Sequence, residues 1–515
     1  MLLNDISYVN AAIAVVVLFC LFNLRSKNVR HPSVKPANWC YPIIGHMIDF
    51  LPENLIQTCY NFPKIYGDLT EFYILSMKGL LVTNVELAKE IMMKTPKKFR
   101  RLRSFDYATK TMNLEYGLFH ANGNVWNRIR RVTAPSFSNN NVQNKFPSVV
   151  REARNWIGSL AQQIEVTKGI VDMKVEGMAL TLRVITAVAF GLEPDDPNIP
   201  YFFSADYMED VYHILMFSIQ EMQFPIKWLW RISPMYRYET LAIKANERFS
   251  KHCENVLAYK RKLILEKQIT TASAMIDSLI LRGEGAQSGE DALDQEIVSN
   301  IKTFYIAGAE TTSSTITWAA YYLSTNPQFI HKLRAEMEAK NLFAGKAIEV
   351  ILDTDIDLQA IRSLEYANAV VKETLRLSSP AFILGFELED GVDSVKLSNG
   401  IELTRKDFVW LNIDGMQRKG DVFDHPGEFN PDRWIVNDQN KEKIAKQEEH
   451  FVAFGSGPRI CPGMTLALTE AALAICFLVY AFDFSLACPP EEVQRIVVFA
   501  ATPNKMPLKL TKRQL

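Results

Sequence analysis

The chain has 515 residues, of which 48% are hydrophobic and 22% are charged. This length and composition allow a sizeable globular core. The formal net charge of −1, from 57 basic and 58 acidic side chains, excludes bulk electrostatic attraction to nucleic acid. The seven cysteines are scattered and odd in number. This pattern argues against a disulfide framework and leaves a thiol available as a metal ligand.

The N-terminal residues predict a membrane anchor. The stretch 6–24 contains no charged side chain and is just long enough to cross a bilayer, which takes about 20 residues. Basic residues follow it directly, and this bias predicts that the rest of the chain faces the cytosol. We expect an anchor over 1–30, a proline-containing hinge over 31–45 and a catalytic domain over 46–515. A buried helix is the alternative interpretation of the apolar stretch.

The rest of the sequence predicts a mainly helical protein with small sheets near its two ends. Residues rich in β-forming side chains occur at 69–75, 80–83, 496–499 and 508–510. Lys78 and Gly79 predict a turn between the first two runs.

A helix of roughly 30 residues is predicted to begin at Asp294 as its N-cap. Its centre, 307–312, reads Ala-Gly-Ala-Glu-Thr-Thr, although a helix interior disfavours glycine and adjacent β-branched residues. A small residue in this stretch would let a flat cofactor approach the backbone. The carboxylate of Glu310 beside the hydroxyl of Thr311 can deliver protons to a bound ligand. The alternative is an ordinary helix with a packing glycine and a capped threonine pair.

A second informative stretch is 454–463, where three glycines and two prolines exclude regular structure. A strongly apolar helix is predicted over 464–481, which places Cys461 at or just before its N-terminus. Backbone N–H groups and the helix dipole favour a thiolate there, and such a thiolate is a ligand for haem iron. Arg459 could neutralise a haem propionate. A structural cysteine in a turn is the alternative.

This loop resembles the haem-binding signature of the cytochrome P450 family, Phe-x-x-Gly-x-x-x-Cys-x-Gly. Its fixed positions are Phe454, Gly457, Cys461 and Gly463. The centre of the long helix is similar to the family's oxygen-activating motif, small-Gly-x-acid-Thr. Three further family motifs are matched by Trp126 and Arg130, by Glu373 and Arg376, and by the segment 429–434 that contains Arg433. The five motifs follow the family's order, and the resemblance covers essentially the whole chain.

The resemblance implies a mainly α cytochrome P450 fold that binds haem b, together with an N-terminal transmembrane helix. It implies that Cys461 is the axial ligand, that Thr311 hydrogen-bonds iron-bound oxygen and that Glu310 relays protons. The implied partners of the haem propionates are Trp126, Arg130 and Arg459. The implied structural triad is Glu373, Arg376 and Arg433. The stretch 380–386 lacks the cation that many relatives carry there as a further propionate partner.

The implied reaction inserts one oxygen atom from O2 into a lipophilic substrate, with a fatty acid as the first expectation. The apolar residues expected to line the substrate pocket are Phe304, Ala307, Ala381, Phe382, Ile383, Leu384 and Ala501. Two alternatives remain open. One is a haem-thiolate isomerase or dehydratase that rearranges peroxides, and the other is a haem-binding sensor without turnover.

Electrons must come from a partner, because the chain has no dinucleotide-binding motif. The resemblance implies the NADPH-cytochrome P450 reductase, sometimes with cytochrome b5, and a single-pass protein of the endoplasmic reticulum membrane with a cytosolic catalytic domain. Two basic clusters could steer an acidic partner. One comprises Arg128, Arg130 and Arg131. The other comprises Lys97, Lys98, Arg100, Arg101 and Arg103.

Overall fold

A computed structural model describes residues 31–37, 44–75, 77–102, 106–223, 230, 235–283 and 290–514. The predicted membrane anchor over 1–30 lies outside these residues, as does part of the predicted hinge. The boundaries of anchor, hinge and catalytic domain therefore stay predictions.

The helices, in chain order, are α1 (Pro52–Tyr66), α2 (Val85–Met93), α3 (Asp106–Thr111), α4 (Gly123–Thr133), α5 (Asn139–Val166), α6 (Met173–Ile185), α7 (Ala205–Gln223), α8 (Met235–Leu265), α9 (Met275–Gly283), α10 (Glu290–Thr325), α11 (Pro327–Ala339), α12 (Leu358–Arg362), α13 (Glu365–Leu377), α14 (Ile413–Met416), α15 (Lys441–His450) and α16 (Met464–Ala481).

The strands are β1 (Lys35–Pro36), β2 (Leu69–Ile74), β3 (Met77–Val82), β4 (Phe99–Arg101), β5 (Ile170–Asp172), β6 (Ile383–Leu388), β7 (Ser394–Lys396), β8 (Glu402–Thr404), β9 (Asp407–Asn412), β10 (Phe482–Leu486), β11 (Arg495–Val497), β12 (Ala501–Pro503) and β13 (Pro507–Lys512). The predicted class, mainly helical with small sheets, is confirmed.

Two local predictions are wrong. Lys78 and Gly79 do not form a turn, because both lie inside β3 and pair with β9. Asp294 does not cap the long helix, which begins at Glu290. The Asp294 carboxylate instead accepts a hydrogen bond from the Arg261 guanidinium at 2.8 Å.

The described chain forms two compact units. The first comprises residues up to 103 together with 383–419 and 449–459. It contains a six-stranded sheet in the order β1-β2-β3-β9-β6-β4. β3 and β9 run parallel, whereas β6 is antiparallel to β9. Buried side chains from this sheet and from α2, among them Leu80, Leu411 and Ile91, form one hydrophobic core.

The second unit comprises 104–382, 420–448 and 460–515. α10 is its longest helix among those described, and it packs against α6, α13 and α16. The approach of α6 is close, since a Cβ on Gly177 would lie 3.1 Å from the Thr317 hydroxyl oxygen. β5, β10 and β13 form a small antiparallel sheet in this unit.

α16 forms much of the core of the second unit. Among the described residues it is the one helix long and apolar enough to cross a membrane, and 72% of it is buried inside the protein. Residues from Ala471 to Val479 are fully buried. Such burial is typical of a core helix. The prediction of an apolar helix over 464–481 is confirmed to the residue.

Candidate functional site

Gly457 lies in the short 3₁₀ turn Gly457–Arg459 of the first unit. Its φ of +70° is a conformation that favours glycine. A Cβ at this position would lie 2.8 Å from the Met92 carbonyl oxygen. The backbone of the turn therefore lies directly against the end of α2. Phe454 is partly exposed, and its ring centroid lies 6.5 Å from that of Phe451.

Substituting Gly457 by alanine is expected to lower the free energy of unfolding by about 3 kcal/mol, because a left-handed backbone and a backbone clash combine. Gly391 is the matched control, since its φ is +84° and a Cβ there would meet nothing within 4 Å. Gly391→Ala should cost only about 1 kcal/mol. The measurement is the thermal unfolding midpoint of each variant. Equal shifts would show that the contact with Met92 is unimportant.

Cys461, in the second unit, is partly exposed and directly precedes α16. The Gly463 N–H hydrogen-bonds to its sulfur, and the charge of Arg130 acts on it. Burial nevertheless has the larger influence and raises the pKa of the Cys461 thiol above its ordinary value. The Gly463 N–H and the charge of Arg130 favour the thiolate, whereas burial opposes it. A thiol is ionised when a metal cation coordinates it, so the position suits a metal ligand.

Trp126 and Arg130 are one helical turn apart on α4. Trp126 is buried and Arg130 is half-buried, whereas Arg128 and Arg131 of the same helix are exposed. Burial lowers the pKa of the Arg130 guanidinium, and its interaction with Cys461 opposes that effect. The structure therefore brings Arg130 into electrostatic range of Cys461.

The centre of α10 is opened along one side. The residues from Ile297 to Ile306 are buried, but Ala307, Gly308, Glu310 and Thr311 keep part of their surface accessible. The Thr311 hydroxyl donates to the Ala307 carbonyl at 2.8 Å, and its oxygen can still accept a hydrogen bond. The opening gives space for a bound group beside the middle of the helix.

Gly308 lies against helix α6. A Cβ on Gly308 would lie 2.7 Å from Ile185 Cδ1, at the end of α6. The glycine therefore permits close packing of two helices, as the alternative interpretation held. Ala307, directly before it, is also small and partly accessible.

Glu310 is turned towards the C-terminal segment. One of its carboxylate oxygens accepts a hydrogen bond from the Ala500 N–H at 3.4 Å. Burial raises the pKa of Glu310 to about 7, although the Ala500 bond and the charge of Lys174 oppose the shift. Within the part of the chain that the structure describes, no hydrogen bond joins the Glu310 carboxyl to the Thr311 hydroxyl. Glu310 can therefore both hold and release a proton near neutral pH.

The Glu373 carboxylate is the centre of a buried network. Its two oxygens accept hydrogen bonds from Arg376 Nε and Nη2, both at 2.8 Å, and one accepts from Arg433 Nε at 2.9 Å. Trp434 Nε1 and the Asn430 N–H also donate to it. The Glu373 and Arg376 side chains are fully buried and Arg433 is 6% exposed. The network joins α13 to the segment 430–434.

The substrate-lining residues stay a prediction. Accessible surface remains at Ala307, Ala381, Ile383 and Leu384, whereas Phe304, Phe382 and Ala501 are buried. The Phe304 ring stacks on Phe137 at 5.2 Å. Sequence reasoning missed Phe119 and Phe499, two partly accessible aromatic side chains that meet edge to face with their centroids 5.5 Å apart.

The basic clusters are less uniform than expected. Arg128 pairs with Glu296, and Arg100 pairs with Asp390 at 2.9 Å. Arg101 lies over the Phe386 ring at 4.8 Å, and burial lowers its pKa to about 10. Exposed cations remain at Lys97, Lys98 and Arg131. Arg103 lies outside the described residues.

Sequence reasoning also missed Lys302, a buried cation on α10. Its ammonium group donates to the Met112 carbonyl at 3.0 Å and to the Asn246 side chain at 2.7 Å. Burial lowers the pKa of Lys302 to about 8. The available signal was a lone charged residue in the otherwise uncharged stretch 297–309 of the helix. The contact fastens the chain after α3 to α8 and α10.

The family model for cytochrome P450 matches residues 35–509. The chain therefore belongs to the cytochrome P450 family. It is accordingly a haem-thiolate monooxygenase with haem b as its cofactor.

The curated relatives come from both animals and plants. The chain is 27% identical to cytochrome P450 3A56 of Fundulus heteroclitus, over 84% of this chain and 82% of that protein. It is 26% identical to cytochrome P450 3A29 of Sus scrofa, over 97% and 92% of the two chains. It is 25% identical to melianol synthase CYP71BQ5 of Melia azedarach, over 92% and 91%.

Proposed function

We propose that Cys461 is the thiolate ligand of the haem iron. The observation that carries this proposal is a partly exposed cysteine at the start of a buried helix, which receives the Gly463 N–H and interacts with Arg130. Haem, when bound, supplies the activation of O2. Trp126, Arg130 and Arg459 are the proposed partners of its propionates, and Phe454, Gly457 and Gly463 shape the loop. Glu373, Arg376 and Arg433 are the proposed structural triad.

We further propose that Glu310 and Thr311 handle the protons of the reaction. The Glu310 carboxyl, whose pKa burial raises to about 7, can hold a proton and give it up at neutral pH. The Thr311 oxygen, on the open side of α10, can accept a hydrogen bond from a bound group.

The proposed substrate is lipophilic, with a fatty acid as the first candidate. Apolar side chains support this, since Ala307, Phe119 and Phe499 present accessible apolar surface.

The proposed location is the endoplasmic reticulum membrane, with residues 1–30 as a single-pass anchor. The proposed electron donor is the NADPH-cytochrome P450 reductase, with cytochrome b5 as a second donor. Exposed Arg131, Lys97 and Lys98 support docking of an acidic partner.

Titration of the full-length protein with fatty acids, sterols and terpenoids is expected to give a saturable shift of the haem Soret band with fatty acids alone. An apolar ligand that displaces iron-bound water changes the spin state of the iron. Ala307→Phe, which fills the opening beside α10, should retain haem but lose the shift. A shift with sterols alone would contradict the fatty-acid proposal.

Oxygen consumption separates the alternatives. With the reductase and NADPH, a monooxygenase consumes O2, whereas a sensor does not. A peroxide-rearranging isomerase or dehydratase would convert a fatty-acid hydroperoxide without O2 or NADPH. Either of these results in haem-loaded protein would overturn the proposed reaction.

A further inference from the structure

A line of polar groups follows the contact between α6, α10 and the segment 500–506. The Thr181 hydroxyl donates to the Ala309 carbonyl at 3.0 Å, and the Thr317 hydroxyl donates to the Met173 carbonyl at 3.2 Å. The Ser314 hydroxyl donates to the Ala501 carbonyl at 2.8 Å. We call this set of hydroxyl and backbone groups the polar seam. It runs through an interior that is otherwise largely apolar.

Two ionisable side chains contact the same short segment of this seam. Ala500 donates its N–H to the Glu310 carboxylate at 3.4 Å. Four residues later, the Asn504 carbonyl accepts a hydrogen bond from the Lys174 ammonium group, also at 3.4 Å. The segment 500–504 therefore carries an acid at one end and a cation at the other.

Lys174 lies in the first turn of α6, and its placement is fixed by the backbone. Asp172 caps this helix, since its carboxylate accepts the Lys174 N–H at 3.0 Å. The same oxygen accepts the Met506 N–H at 3.0 Å, which ties the C-terminal segment to the start of α6. Lys174 is partly exposed. Its side chain therefore reaches the segment 500–504 from the solvent side.

The charges of Lys174 and Glu310 act on each other. The lysine opposes the rise in the pKa of Glu310 that burial causes, and the carboxylate opposes the fall in the pKa of Lys174 that burial causes. In the part of the chain that the structure describes, Glu310 forms no ion pair within 4 Å. Lys174 thus acts on the carboxylate from a longer distance, without closing a salt bridge over it.

Few other described titratable groups lie near Glu310 and Lys174. Glu176 lies on α6 and Asp172 caps that helix, and the Asp172 charge acts on both Glu176 and Lys174. From α7, Tyr207 faces the Glu310 charge, but burial raises its pKa so far that it stays neutral. In the C-terminal segment, Lys505 is held by Glu492. Among the described groups, Lys174 is therefore the cation placed to act on Glu310.

We propose that Lys174 is a positioning residue for the proton relay, holding the ionised form of Glu310 from the far end of the segment 500–504. This proposal rests on the proposed relay role of Glu310. It adds a residue more than 130 positions away in the chain.

The test is a pH titration of the Glu310 carboxyl in the full-length, haem-loaded protein by infrared difference spectroscopy. The band of the protonated carboxyl is assigned by its loss in Glu310→Gln. Removing the lysine charge in Lys174→Met should raise the titration midpoint by about one pH unit. Lys174→Arg, which keeps the charge, should return the midpoint to within about 0.3 unit of the native value.

Lys512→Met is the matched control, because Lys512 is an exposed lysine that pairs with Glu165. This variant should leave the titration midpoint of Glu310 unchanged. The pH profile of NADPH-dependent O2 consumption, with dodecanoic acid as the probe, should shift in Lys174→Met by the same amount. An unchanged midpoint in folded Lys174→Met, or in Lys174→Gln if the methionine variant does not fold, would overturn the proposal.

The two proposals fail in different ways. Absence of O2 consumption in the native protein would overturn the proposed reaction, yet the infrared midpoint would still report the effect of Lys174 on Glu310. If the native protein turns over but Lys174→Met changes neither the infrared midpoint nor the pH profile, only the proposed role of the lysine is overturned.

Discussion

Substituting Glu373 by alanine is expected to leave little folded, haem-loaded protein. The carboxylate accepts hydrogen bonds from Arg376, Arg433, Trp434 and the Asn430 backbone, and its removal strands two buried guanidinium groups. Breaking a buried ion pair in this way costs about 3–5 kcal/mol, a large part of a typical stability of about 5–15 kcal/mol. Haem content per protein and the thermal unfolding midpoint measure the effect.

Glu165→Ala is the matched control for this substitution. Glu165 also pairs with a cation, Lys512, but both side chains are more than half exposed. Exposed pairs contribute little because water and salt screen them, so the control should match the native protein. A Glu373→Ala variant with full haem content and an unchanged midpoint would show that the network around α13 is not structural.

Substituting Cys461 by serine is expected to abolish the thiolate-type carbon monoxide spectrum and to reduce monooxygenase turnover below detection. An alcohol oxygen can occupy the place of the sulfur, but it does not supply the electron density that a thiolate gives to haem iron. The variant should remain folded, because the change is nearly isosteric and Cys461 is only partly buried. The measurements are haem content, the reduced carbon monoxide spectrum and O2 consumption.

Cys488→Ser tests whether the effect is specific. Cys488 is likewise partly exposed, but it lies between β10 and the short 3₁₀ turn Pro490–Glu492 and not before an α-helix. Among the other described cysteines, Cys59, Cys253 and Cys476 are buried. Cys488→Ser should keep the native spectrum. A thiolate-type spectrum that survives in Cys461→Ser would move the ligand to another cysteine.

The sequence predicts those features that local chemistry decides. The bounds of α16 follow from a largely apolar run that begins after three glycines and two prolines, and Cys461 lies three residues before it. β2 and β3 also follow from their β-forming residues, although the turn between them does not. These features depend on a few neighbouring residues, so they can be recognised without knowledge of distant contacts.

Distant packing decides the features that sequence reasoning misplaces. Gly79 breaks local structure by propensity, yet it lies in β3 because a Cβ there would meet the rings of Phe72 and Phe408 at about 2.5 Å. Asp294 is a good N-cap by type, but its carboxylate binds Arg261 of α8. In both cases a residue from another element takes precedence over local preference.

The candidate site shows the same division. Motif spacing identifies Glu310, Thr311 and Cys461, but it does not reveal that Glu310 faces Ala500 or that Lys174 acts on it. Those partners lie about 190 positions after and 136 positions before Glu310 in the chain. A spacing pattern carries no information about such contacts.

The order of strands in the six-stranded sheet means that β3 is synthesised long before its partner β9. β3 pairs in parallel with β9, and Lys78 meets Asp407 roughly 330 positions later in the chain. At about 5–20 residues per second, the ribosome needs roughly 15–65 s to supply that partner. Throughout this interval β3 presents an unpaired edge, which is prone to aggregate. A premature stop codon before residue 407 would remove β9 and make that exposure permanent, so the truncated chains should be insoluble rather than merely inactive.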